Sequence, residues 1–179
     1  MVFVSGQEHH SNLLPWREVG CEIIAISETP SGEVSYEDLE HKLVEHRKLS
    51  KRRQIIGLFS AASNVSGILN DDLALTALVH KYGGLAFWDY ATAAPYVNID
   101  MNPNVDGDDN GLCAKDAIYF SMHKFVGGPQ TPGVLIAKKE MFRNPVPHDG
   151  GGGTVVFVTD KDHYYIPVSP TSHTVVDDH

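Results

Sequence analysis

The sequence predicts an α/β fold, a mostly parallel sheet with flanking helices. Three observations carry that expectation. Short, continuously apolar runs recur along the 179 residues, as strands buried on both faces of a sheet do. Helix-length segments with apolar residues on one face lie between several of them. The two kinds of segment alternate, and alternation builds βαβ units.

In chain order, "VFVS" (2–5) and "CEIIAI" (21–26) are predicted strands, separated by "HHSNLLPWREV". A helix follows over about 35–47, with Tyr36, Leu39, Leu43 and Val44 on one face. Ser35 suits its N-cap, and Asp38 three residues later can support it. "QIIGLFSA" (54–61) is the third strand. A second helix covers about 71–82 through Leu75, Leu78, Val79 and Tyr82, and Gly83-Gly84 ends it. "LAFWD" (85–89), "AIYFS" (117–121) and "GVLIA" (133–137) complete the strands, with a polar loop over 100–113. We expect one domain over 1–158 and a tail over 159–179 without clear periodicity. No Gly-rich strand-to-helix turn precedes the first strand and little chain follows the last, so the sequence reads as a fragment truncated at both ends.

Asp and Glu number 23 against 14 Lys and Arg, a formal net charge of −9. That argues against nucleic acid or an anionic membrane as partner, because phosphate recognition needs a cationic face. No run reaches the ~20 apolar residues that span a bilayer, and "MVFVSGQEHH" lacks the pattern of a signal peptide. Two distant cysteines, Cys21 and Cys113, suit a reducing compartment. The expectation is a cytoplasmic protein, an organellar location remaining open.

Several motifs fail on inspection. Residues 102–113 approach a calcium loop, but the first place is Asn102 and the twelfth is Cys113 instead of Glu. Asn64-Val65-Ser66 matches a glycosylation acceptor by chance in a cytoplasmic chain. "GPQTPG" (128–133) continues with Val134 and Leu135 where a phosphate loop needs Lys and Ser or Thr. "GGGG" (150–153) reads as a flexible turn. The ten histidines include no zinc-type spacing, so no metal site is expected.

What remains sits at the predicted C-terminal ends of strands, where open α/β sheets bind ligands. His9 follows the first strand, Asn64 the third, Asp89 ends "LAFWD", and Ser121, His123 and Lys124 end "AIYFS". Pyridoxal phosphate needs these residue types: an amine for its aldehyde, an acid for its ring nitrogen, donors for its phosphate. Lys124 suits the Schiff base and proton transfer at the substrate α-carbon. Asp89 suits the ring nitrogen, Asn64 the phenolic oxygen, Ser121 and His123 the phosphate, and His9 the ring face. Each has a plainer role as well: a surface histidine, a helix cap, an exposed turn. The ordered set of six is what favours the cofactor.

"SGQEHHSNLLPW", "ASNVSGIL", "FWDYATAAPYVNIDM" and "YFSMHKFVGGPQTPGVLIA" together resemble the large domain of the class V aminotransferase family, which includes cysteine desulfurases and selenocysteine lyases. The resemblance covers about residues 1–158, and "EHHSN" before Pro-Trp leans toward the cysteine desulfurase-like branch. It implies a fold-type-I pyridoxal-phosphate transferase fold and a homodimer acting on a small amino acid. It also implies His9 as ring-stacking and acid–base residue, Asn64, Asp89, Ser121 and His123 as cofactor contacts, and Lys124 as Schiff-base lysine. Two departures stand out. Thr92 occupies a place where the family usually has Gln, and neither Cys21 nor Cys113 matches the family's sulfur-accepting cysteine. Two further readings stand beside an active enzyme: a catalytically incomplete remnant that binds the cofactor weakly or not at all, and a small metal- or protein-binding module.

Overall fold

The computed structural model describes residues 1–50, 52–144, 146, 151 and 154–166. Strands β1 (Val2–Ser5), β2 (Ile23–Ile26), β3 (Ile56–Ser60), β4 (Leu85–Asp89), β5 (Ala117–Ser121) and β6 (Gly133–Ala137) form one sheet in the order β2-β1-β3-β4-β5-β6. All neighbouring pairs are parallel except β5 with β6, which is antiparallel. The expected α/β class with a mostly parallel sheet is therefore observed.

Helices α1 (His10–Glu18), α2 (Tyr36–Leu49) and α3 (Asp72–Lys81) cover the sheet. One face carries Phe3, Phe59, Ala86, Trp88 and Ile118, packed with Leu39 and Leu43 of α2 and Leu75, Leu78 and Val79 of α3. Trp88 is wholly buried, and its indole N–H donates to Thr76 Oγ1 at 2.8 Å, so that donor is not stranded in the core. The other face carries Val2, Val4 and Leu58, packed with Leu13 and Trp16 of α1 and with Phe87 and Tyr119.

Ser35 caps α2 as expected, accepting the Asp38 N–H at 3.2 Å. Asp38 does not return that bond. Its carboxylate takes the Ser27 N–H at 2.7 Å, the Ser27 hydroxyl and the Lys42 ammonium, tying the end of β2 to the helix. Helix α1 forms from "HHSNLLPWREV", a segment whose sequence carries no helix signal. Pro15 sits inside it, which disfavours a helix locally. Packing supplies the difference: Trp16 meets Phe87 with ring centroids 5.9 Å apart.

The chain divides into a unit over Met1–Ala137 and a second over Lys138–Val175. In the second, β7 (Val155–Val158) and β8 (His163–Tyr165) pair antiparallel, with Phe157 stacked on Tyr164 at 4.7 Å. The expected tail from residue 159 begins in the turn of this hairpin. Its residues 167–179, and all but Gly151 of "GGGG" (150–153), lie outside the described residues.

Candidate functional site

Ser60, Asp89 and Tyr119 form one row across three parallel strands: Ser60 is the register partner of Asp89, and Asp89 that of Tyr119. Side chains alternate along a strand, so all three stand on the face that α1 covers. This is the C-terminal edge of the parallel strands, and α1 enters above it.

Asp89 is the buried centre of the row at 9% exposure. Its Oδ1 accepts the Ala91 N–H at 2.7 Å, and among the described residues no other hydrogen bond engages the carboxylate. Burial pushes its pKa up, while the Ala91 N–H and the charges of Lys124 and His9 pull it back.

Beyond β5 the chain makes a 3-10 turn over Met122–Lys124. Gly127 then adopts φ +80°, a conformation glycine accepts without strain. A Cβ on Gly128 would lie 2.1 Å from the Met122 carbonyl oxygen, so only glycine fits beneath the turn that carries Lys124. His123 and Lys124 are exposed.

His9 caps α1: its Nδ1 accepts the Ser11 N–H at 3.3 Å and lies 2.7 Å from Ser11 Oγ. Its ring packs against His10, centroids 3.9 Å apart. His9, Asn64, Asp89, Ser121, His123 and Lys124 all line one pocket of about 350 Å³. The structure thus brings together every residue singled out from the strand ends. Thr92 lines the same pocket.

Sequence reasoning missed the support beneath the pocket. The Glu8 carboxylate, next to His9, accepts four hydrogen bonds: from Ser5 Oγ at 2.6 Å and Ser60 N at 2.9 Å on Oε1, and from Asn12 Nδ2 at 2.6 Å and Ser60 Oγ at 2.8 Å on Oε2. Asn12 in turn accepts the Tyr119 hydroxyl. Burial raises the Glu8 pKa against the pull of these donors. The rule that found Asp89, a polar residue closing an apolar strand, also applies to Ser60. Glu8 carried no such signal, because its partners come from β1, β3 and α1.

The Aminotransferase class-V family pattern matches residues 1–171. The chain belongs to that family. Among curated relatives, a cysteine desulfurase from Klebsiella pneumoniae is 29% identical over 162 residues, covering 88% of this chain and 36% of the relative. A probable cysteine desulfurase from Halalkalibacterium halodurans is 28% identical over 161 residues, covering 88% and 36%. A solved cysteine desulfurase from Escherichia coli superposes with a TM-score of 0.67 at 26% identity, over 93% of this chain and 38% of that one. The chain therefore spans between about a quarter and about a third of the length of the curated relatives it matches.

Class V aminotransferases work with pyridoxal phosphate in general. The donor set here fits that group: a buried carboxylate with an uncommitted oxygen, a primary amine, and hydroxyl, imidazole and carboxamide groups around one pocket. The volume lies within the ~300–1,000 Å³ usual for small-molecule sites.

Proposed function

We propose that this chain forms the cofactor-holding part of a cytoplasmic pyridoxal-phosphate-dependent enzyme of the class V, cysteine desulfurase-like type, acting on a small amino acid. The observation that carries the proposal is the convergence of Asp89, on a strand end, and Lys124, on the turn beyond the next strand, in one pocket. When bound, pyridoxal phosphate supplies an aldehyde for covalent attachment and a cationic ring that draws electrons from a substrate's α-carbon. Lys124 would supply the attaching amine, and as a free amine it could hold or move the proton at the substrate α-carbon. Asp89 would hold the ring-nitrogen proton; its free oxygen and its buried position suit that task. Asn64 would donate to the phenolic oxygen and Ser121 and His123 to the phosphate, while His9 would face the ring and could share in proton transfer.

The names of the desulfurase relatives support the substrate class, and the family resemblance supports a homodimer. The two free cysteines suit a reducing cytoplasm. Among the described residues no helix is long and apolar enough to cross a membrane.

A second reading keeps the pocket but gives it a weak hold on the cofactor. Its supporting observation is the exposure of His9, Asn64, His123 and Lys124. Titration of the chain with pyridoxal phosphate distinguishes the two. A visible absorbance band at micromolar cofactor, absent from Lys124→Ala, supports the enzyme reading. A band that needs millimolar cofactor, or none, supports the second.

A further inference from the structure

His9 lines the pocket from an exposed position, and its ring contacts are local: Ser11 at Nδ1, and His10 against the ring. These contacts orient the imidazole relative to α1. They do not place the start of α1 over the sheet.

Glu8, the residue before His9, makes that connection. On the sheet side it accepts the Ser60 N–H at 2.9 Å and the Ser60 hydroxyl at 2.8 Å. Ser60 closes β3, lines the same pocket and is the register partner of Asp89. On the helix side Glu8 accepts the Asn12 side-chain amide at 2.6 Å. Asn12 also donates its backbone N–H to the His9 carbonyl at 2.9 Å. It is buried, and the Tyr119 hydroxyl donates to its amide oxygen. A carboxylate has about four acceptor sites, and Glu8 spends them on β1, β3 and α1 together. Gln7 is tied separately, through Asn70 at 2.9 Å, one residue further from His9.

We propose that Glu8 is a positioning residue for His9: by joining Ser60 to Asn12, its side chain fixes the start of α1 over the end of β3 and so sets where the His9 imidazole stands relative to Asp89. The placement belongs to the chain itself. Its consequence for a cofactor ring rests on the function proposed above.

Reach, not charge, is the property this role uses. Glu8→Asp keeps the charge but is one methylene short of holding both partners. Glu8→Gln keeps the length. Its oxygen can take the Ser60 N–H, and its nitrogen can donate to the Ser60 hydroxyl oxygen. Asn12 can turn its own amide oxygen to the new donor, with the Tyr119 hydroxyl then accepting.

The charge of His9 pulls the Asp89 pKa down, so the Asp89 carboxyl reports where the imidazole stands. Lys124 acts on the same carboxylate and is unchanged in every variant. The test is a carbon-13 NMR titration of Asp89 in the 179-residue chain without cofactor, assigned with Asp89→Asn. It reads the rise in the Asp89 midpoint that His9→Ala causes in each Glu8 background, as a double-mutant cycle. The rise should be the same in the parent and in Glu8→Gln. In Glu8→Asp it should shrink by about half or more, because Coulomb energy falls with distance. Asn12→Ala, which cuts the hold on α1 and leaves the Ser60 bonds, should shrink it too, and decides the matter if Glu8→Asp does not fold. An undiminished rise in Glu8→Asp or in Asn12→Ala overturns the proposal. So does a rise kept in Glu8→Asp and lost in Glu8→Gln, which would assign the effect to charge. No rise in the parent overturns it as well, since His9 would then not stand near Asp89. Cofactor binding enters none of these readings, so its absence counts only against the proposed function.

Discussion

Asp89 and Tyr119 are register partners on adjacent parallel strands, and both face α1. The carboxylate that suits a ring nitrogen thus stands beside a phenol whose own proton goes to Asn12. Burial raises the Asp89 pKa, and the Ala91 N–H, Lys124 and His9 oppose that rise.

Asp89 has a stability consequence with a definite sign. Its folded pKa is raised, so the folded chain holds this proton more tightly than the unfolded chain does. The resulting stability is fully present below the ordinary carboxylate value of about 3.9. It is lost as pH rises through the raised value, and at neutral pH the buried charge is a cost. Asp89→Asn can still accept the Ala91 N–H. It is expected to melt above the parent at pH 7 by about 2–4 °C, to lose that advantage in acid, and to fail to retain cofactor. Thermal melts across pH, paired with cofactor titration, check both halves.

The opposite sign applies to Asp38. Burial opposes its charge, but the Lys42 ammonium and the Ser27 amide and hydroxyl outweigh it and hold the carboxyl down to about 2. Stability from a depressed acid is present above its unfolded value and lost as pH falls through the folded one. Asp38→Asn is expected to cost about 1 kcal/mol at pH 7, a modest figure because the ion pair stands partly in solvent. Denaturant unfolding should show the difference shrinking between about pH 4 and about pH 2.

Gly128 is where backbone geometry reaches the site. An added methyl would displace the Met122 carbonyl and with it the turn holding Lys124. Gly128→Ala is expected to weaken cofactor uptake by on the order of tenfold or more, since small displacements of a reacting group are costly. Spectroscopic titration measures it directly.

Gly57, on β3, reports on the core. A Cβ there would lie 2.7 Å from both a Phe59 ring carbon and a Val79 methyl. Gly57→Ala is expected to destabilise the chain by about 1–3 kcal/mol through overpacking, read from denaturant midpoints. Cofactor affinity, once the variant is folded, should change little.

The main sheet is legible because buried strands such as "LAFWD" leave uniform apolar runs, and its ligand edge follows from where polar residues end them. Helix α1 is not, because Pro15 and the polar "HHSN" mask it and its stability comes from Trp16 on Phe87. The hairpin of β7 and β8 is equally hidden, its strands being only four and three residues long. The six pocket residues are readable from order and type. Glu8 is not, because a carboxylate becomes informative only once Ser5, Ser60 and Asn12 are seen to converge on it.

The central claim is that Lys124 carries the cofactor. Reducing the mixture of chain and pyridoxal phosphate with borohydride, then mapping peptides by mass spectrometry, tests it most directly. One added pyridoxyl phosphate is expected on the peptide containing Lys124, at substoichiometric cofactor and with the other lysines unlabelled. Label spread over surface lysines, or concentrated on a lysine outside the pocket, would contradict it.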